Sequence, residues 1–217
     1  EEGCCGDSAK KIGNEYIYQA LAMANIETFK AYNVKKIVTM CPHGYNTLKY
    51  DYKELGGNFE VYHYTEVLDK LIKEGKIKLN QPIPDLGTIT YHDSCYLGRY
   101  NQVYDQPRNI IRALKSGNLV EMQSHHKKSF CCGAGGGRMW MEEHLGSRIN
   151  QKRTKEVEAA GAKTVCTACP FCYTMLSDGI KELELSEKLQ AIDIAQLVAK
   201  AAGIDLKSGG EDKEAAN

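Results

Sequence analysis

The stretch Lys163-Thr-Val-Cys-Thr-Ala-Cys-Pro-Phe-Cys-Tyr-Thr-Met-Leu176 decides how this chain folds. Lys163 to Cys166 carries the β-branched and apolar residues of a short buried strand. Cys169 lies just past its end, and Phe171 to Lys181 has the spacing of a helix. A strand that passes through a cysteine-bearing turn into a helix is half of a parallel βαβ unit. In such units functional side chains collect at the carboxyl ends of the strands.

Working outward, the same order recurs. Upstream, Thr88-Ile-Thr-Tyr-His92 reads as a strand followed at once by Asp93-Ser94-Cys95. A helix from Pro107 to Lys115 leads to a strand from Asn118 to Met122. Cys131-Cys132-Gly133 comes next, and a long helix is expected from Arg138 to Ala160. Downstream, Ile192 to Ala202 reads as an amphipathic helix, and the polar residues 207–217 as a disordered tail. Toward the amino terminus, Gln81-Pro-Ile-Pro-Asp-Leu-Gly87 is a linker by its two prolines and glycine. Before it stand a long helix from Ser8 to Tyr32, a strand from Lys36 to Met40 ending at Cys41, and a helix from Asn46 to Glu54. A strand from Phe59 to His63 and a helix capped by Thr65 and running to Gly75 complete this half.

The two halves match. Cys4-Cys5-Gly6, a long helix, a strand, Cys41-Pro42 and two helices correspond to Cys131-Cys132-Gly133, a long helix, a strand, Cys169-Pro170 and two helices. The offset is 127 residues at the first motif and 128 at the second, so the cysteines stay in step. The expected fold class is therefore α/β, with two tandem pseudo-repeated βα domains, parallel sheets and cluster sites at the strand carboxyl ends. The expected boundaries are 1–80, 81–206 and a tail at 207–217.

Composition narrows the function. The 217 residues carry 28 Lys and Arg against 28 Asp and Glu, which gives no basic excess for a nucleic-acid surface. No apolar run approaches the roughly 20 residues that span a bilayer, and no signal peptide is visible. Nine cysteines are an odd number, clustered, in a chain without secretory features, so metal binding is favoured over disulfides and a reducing compartment over an oxidising one.

Five thiols, Cys95, Cys131, Cys132, Cys169 and Cys172, come from three places in the fold. Four-coordinate zinc seldom uses five ligands, whereas iron–sulfur clusters draw thiolates from separate segments. Gly133, Gly135 and Gly136 would let backbone amides approach an inorganic core, and Arg138 would add charge compensation. A phosphate loop is the competing reading of these glycines, but the Lys-Ser/Thr that follows such loops is missing.

The pattern Cys95, Cys131-Cys132-Gly133, Cys169-Pro-Phe-Cys172 resembles the cysteine-rich "CCG" domain. That domain occurs in the B subunit of heterodisulfide reductase, the iron–sulfur subunit of glycolate oxidase, lactate-utilisation proteins and oxidoreductases linked to electron-transfer flavoprotein. Cys131-Cys-Gly-Ala-Gly-Gly-Gly-Arg-Met-Trp140 and Cys169-Pro-Phe-Cys-Tyr-Thr-Met-Leu176 look nearest to the last group. The resemblance implies a [4Fe-4S] cluster of the noncubane type on the five matching cysteines. It also implies flavoprotein or ferredoxin-type partner subunits and a cytoplasmic location, with a peripheral position on the cytoplasmic face of a membrane complex left open. In the first half Cys4, Cys5 and Cys41 match, but Gly44 stands where the repeat has Cys172. That site is expected either to hold a second iron–sulfur cluster completed from upstream or to be empty.

Three functions remain open at this point. An electron-transfer module is favoured by the flavoprotein-linked group; a disulfide reductase, whose cluster cleaves a small-molecule disulfide, and a structural zinc domain are the alternatives. Among the other candidates, Cys166 reads as a buried core cysteine. His92 and Asp93 read either as tuning or proton-shuttling groups or as satisfied core residues. His43 is a weak substitute ligand, His125-His126 a solvated loop, and Met139, Trp140 and Met141 packing residues near the cluster.

Overall fold

The computed structural model describes residues 3–115, 117–141 and 146–204. The amino-terminal half begins with α1 (Asp7–Lys11) and α2 (Glu15–Ala31). These replace the single helix expected from Ser8 to Tyr32. Gly13 stops α1 at φ +87°, and Asn14 restarts the helix as an N-cap whose side chain accepts from the Ile17 amide at 3.1 Å. β1 (Lys36–Thr39) follows, then α3 (Pro42–Asn46), a wide π-type turn at Thr47–Asp51, and α4 (Tyr52–Glu54). β2 (Glu60–His63) leads into α5 (Tyr64–Lys73). The cap of α5 is His63, not Thr65: the His63 ring accepts from the Thr65 amide, and the Glu66 carboxylate accepts from the His63 amide at 2.9 Å.

The carboxy-terminal half comprises β3 (Thr88–Tyr91), α6 (Asp105–Ala113), β4 (Asn118–Val120), α7 (Ile149–Ala159), β5 (Thr164–Thr167), α8 (Pro170–Glu182), β6 (Gln190–Asp193) and α9 (Ile194–Ala202). The helix expected from Arg138 is corrected. Gly137, at φ +76°, starts a single 3-10 turn at Arg138–Trp140, Met141 is extended, and α7 begins only at Ile149. Residues 142–145 of that expected helix, and the expected tail from 207, lie outside the described residues.

All strand pairs are parallel. β1 pairs with β2, with Thr39 opposite His63, and the second sheet has the order β4-β3-β5-β6. β5 is buried along its whole length, as a central strand covered on both faces should be. Ile89 and Tyr91 of β3 and Cys166 of β5 enter a core that also contains Tyr18, Tyr52, Val61 and Leu197. Val165 faces the other way, into a core built with Val157, Leu176 and Ile180 of α7 and α8. The first core runs through both halves, and the linker contributes to it through Ile83 and Leu86. The class is α/β with parallel sheets, and every cysteine-bearing turn lies at or after a strand's carboxyl end or ahead of a helix.

Candidate metal centre

Cys169 is the N-cap residue of α8, and Cys172 sits in that helix's first turn. Cys95 lies in the turn after β3. Cys131 and Cys132 precede Gly133, whose φ is +93°. A Cβ on Gly133 would lie 3.0 Å from Ile149 Cβ and 3.5 Å from the Asn150 nitrogen. The glycine therefore lets the double-cysteine loop rest against the start of α7 in a conformation that other residues resist. Its amide also donates to Cys131 Sγ at 3.3 Å.

These turns bring the sulfurs together. Cys172 Sγ is 3.4 Å from Cys132 Sγ. Cys131 interacts with Cys132 and Cys95, and Cys169 with Cys172 and Cys41. Cys95, Cys131, Cys132, Cys172, Cys169 and Cys41 thus influence one another's ionisation, and all nine cysteines of the chain are free. Hydrogen bonds from Cys132 and Cys95 pull the Cys131 thiol down to about 2, and bonding to Cys131 pushes Cys132 up to about 12. Cys169 is lowered likewise by Cys172 and Cys41, whereas Cys172, Cys41 and Cys95 are raised by the partners they donate to. This many interacting soft donors fits a thiophilic metal centre.

Cys132, Cys169 and Cys172 are buried with Ala134 and Met175, and Met139 and Phe171 pack against them. Trp140 does not pack as expected: it is 63% exposed and meets only the edge of Phe171, and Met141 is exposed as well. Cys166 is fully buried in the shared apolar core.

A charged frame holds the turns. Arg108 of α6, 1% exposed, donates to both carboxylate oxygens of Asp93 at 2.7 and 2.8 Å. It also donates to both oxygens of Glu121 at 2.7 and 2.9 Å. Asp93 further accepts from the His126 amide at 2.7 Å, and its carbonyl accepts from Ser129 Oγ at 3.1 Å. One guanidinium thereby ties the Cys95 turn to the segment leading into Cys131. Arg153 of α7 is fully buried beside His92. Sequence reasoning missed both arginines.

The first half places Cys5 and Cys41 around Gly44, where a Cβ would lie 3.9 Å from Cys5 Sγ and 3.9 Å from Cys41 Cβ. Burial pushes Cys5 up to about 11, and Cys4 is exposed. The Gly6 amide lies 3.5 Å from Cys4 Sγ, as Gly133's does near Cys131, and Gly6, at φ +83°, sits under Tyr18. Asn25 holds the Gly3 amide and the Cys4 carbonyl at 2.8 and 2.9 Å, and Tyr52 donates to the Cys5 carbonyl. The legible signal for Asn25 was a poor helix former inside a long helix.

Gly135 and Gly136 line a small cleft with Lys11, His43, Tyr96 and Phe171, and none of its described lining residues is a cysteine. Arg138 borders a different hollow, beside Gly133, Asn150 and Met175. His43 meets the Tyr96 ring edge-on and packs tilted against Phe171. His125 and His126 bond to each other at 2.7 Å through their Nδ1 atoms.

The profile of the cysteine-rich domain, CCG, matches residues 1–49 and 89–177. EtfAB:quinone oxidoreductase of Syntrophomonas wolfei is 50% identical over 209 residues, 93% of this chain and 29% of that protein. The probable iron-sulfur-binding oxidoreductase FadF of Bacillus subtilis is 48% identical over 205 residues, 94% of this chain and 29% of FadF. A component of the dihydromethanophenazine:CoB–CoM heterodisulfide reductase of Methanosarcina mazei is 35% identical over 213 residues, 95% of this chain and 51% of that protein. The chain thus spans only part of each relative. With two Cys-Cys-Gly turns, the Cys132 and Cys172 thiols in contact and a matching profile over most of its length, the chain belongs to the CCG cysteine-rich domain family.

Proposed function

We propose that this chain relays electrons through a [4Fe-4S] cluster of the noncubane type, held by Cys95, Cys131, Cys132, Cys169 and Cys172. The observation that carries the reading is the 3.4 Å approach of the Cys132 and Cys172 sulfurs, from two separate turns, in a buried apolar cluster that also contains Cys169. The cluster supplies one-electron redox chemistry when bound. The chain's own residues hold the ligands and keep water out. Phe171, Met139 and Met175 form the apolar wall, the Gly133 amide bonds Cys131, and Arg108 fixes the Cys95 turn. Cys4, Cys5 and Cys41 form the seat of a second iron–sulfur site in which Gly44 leaves one ligand position open, with Cys41 lying against Cys169 between the two. Gly135 and Gly136 supply close backbone, and Arg138 offsets negative charge.

The names of the relatives support a flavoprotein or ferredoxin-type donor and a downstream acceptor within a larger oxidoreductase. A relative named as a probable membrane-anchored ferredoxin, 37% identical over 206 residues, supports a position at a membrane, and we propose a peripheral one on its cytoplasmic face. No helix among the described residues is long and apolar enough to cross one.

Anaerobic purification with iron, sulfide and zinc assays tests the cluster. Coloured protein with iron and sulfide in equal amounts, an EPR signal, and loss of both in Cys172→Ser are expected. Colourless protein with one zinc overturns the reading. A second reading, cleavage of a disulfide at the cluster, is favoured by the heterodisulfide reductase relative. Turnover of a disulfide by the loaded protein would establish it against the relay.

A further inference from the structure

His92 lies directly behind the sulfurs. Its amide extends the sheet by donating to the Cys166 carbonyl at 2.9 Å, and its ring is 1% exposed. A ring nitrogen lies within 4.8 Å of both Cys132 Sγ and Cys172 Sγ. Arg153 Nε, on α7, approaches His92 Nδ1 at 3.0 Å. A guanidinium only donates, so this contact settles the tautomer: Nδ1 carries the lone pair and Nε2 the proton. Arg153 has no latitude to turn away. Its other nitrogens donate to the Ser124 carbonyl at 2.8 Å, to the Glu156 carboxylate and to Ser129 Oγ at 3.3 Å. With Nδ1 committed to Arg153, the donor that the His92 ring can offer a neighbouring sulfur is Nε2–H, and without a lone pair that nitrogen cannot coordinate iron.

We infer that Arg153 is a positioning residue that locks His92 as a hydrogen-bond donor to a cluster-ligand sulfur, Cys132 or Cys172, and so raises the cluster's reduction potential. The inference rests on the cluster reading above. Reduction adds negative charge to the centre, and a donor on a ligand sulfur stabilises the more negative state. Loss of the donor therefore lowers the potential.

The test uses the full, cluster-loaded chain labelled with ¹⁵N-histidine, its iron and sulfide content measured first. Absence of iron there defeats the cluster reading and is told apart at that step. Pulsed EPR of the unmutated protein should show a weakly coupled histidine nitrogen that vanishes in His92→Phe. A coupling as strong as a direct iron–nitrogen bond, or none, overturns the inference, and this result does not depend on whether Arg153 variants fold. In redox titrations His92→Phe and Arg153→Met should each shift the reduction equilibrium about tenfold toward the oxidised form, about 59 mV for one electron. Arg153→Lys, which keeps a charged donor, should recover most of it. In the His92→Phe background, Arg153→Met should shift the potential less than it does alone. Full additivity would mean that Arg153 acts through its charge and not through His92.

Discussion

Arg108 illustrates how single side chains govern the site. It stands between two carboxylates, and one of them, Asp93, is itself buried. Removing one partner of a buried pair leaves an uncompensated charge, which costs about 3–5 kcal/mol. Arg108→Met should therefore lower the unfolding free energy in urea by about that amount. Burial alone would raise the Asp93 and Glu121 carboxyls, but the bonds from Arg108 outweigh it and hold both below the usual carboxylate range. A carboxyl with a depressed folded pKa stabilises the fold above its unfolded pKa, about 4 for Asp and Glu, and that contribution is lost as pH falls through the folded value. Thermal melts should thus drop as acid pH falls below about 4, and the slope should flatten in Arg108→Met. The cysteines of this region were legible because their type and spacing announce themselves. Arg108 and Arg153 were not, because their partners lie 15 and 61 residues away and nothing local marks a charged residue as buried.

Among the elements, α7 and α8 show how close packing overrides propensity. Gly179 sits inside α8, where alanine would ordinarily gain about 1 kcal/mol. Here a Cβ would come within 2.4 Å of Thr154 Oγ1 and 3.1 Å of the Asn150 carbonyl on α7. Gly179→Ala should instead destabilise by about 1–3 kcal/mol, and Thr154→Ala on top of it should recover part of the loss in the same denaturation assay. The strands β1, β3 and β5 were legible from β-branched runs that lead into cysteine-bearing turns, and β2 from its alternation. β6 was hidden because four residues, Gln190 to Asp193, pass straight into α9 through the Asp193 capping box with no turn residue to separate them. The helix expected from Arg138 failed for the opposite reason: a periodic pattern persisted, but the glycines at 136 and 137, both at positive φ, turn the chain before it can wind.

For the whole molecule, alternating strands and helices made the α/β class readable, but the packing of one half on the other was not. Tyr64 donates to Asp193 at 2.8 Å across 129 residues, and the Asn101 side-chain amide donates to Asn46 Oδ1 at 3.3 Å. We propose residue 80 as the boundary between the two repeated units, yet the core they share argues for joint melting. Calorimetry of the chain should give one transition whose calorimetric and van't Hoff enthalpies agree; two resolved peaks would contradict the continuous core.

The 3.4 Å gap between Cys132 and Cys172 has a bearing on how the protein matures in the cell. Two thiols in van der Waals contact need to close by little more than an ångström to reach the bonded separation of about 2.05 Å. Dioxygen can take their two hydrogens and leave a disulfide where ligands are required. Assembly is then a race between iron delivery and air. Metal-free chain exposed to oxygen should lose two mass units on a peptide pair containing Cys132 and Cys172, and should accept iron again only after a reductant reopens the bond. An organism that makes this protein in air would need to load it promptly, or keep a thiol reductant at hand while it waits.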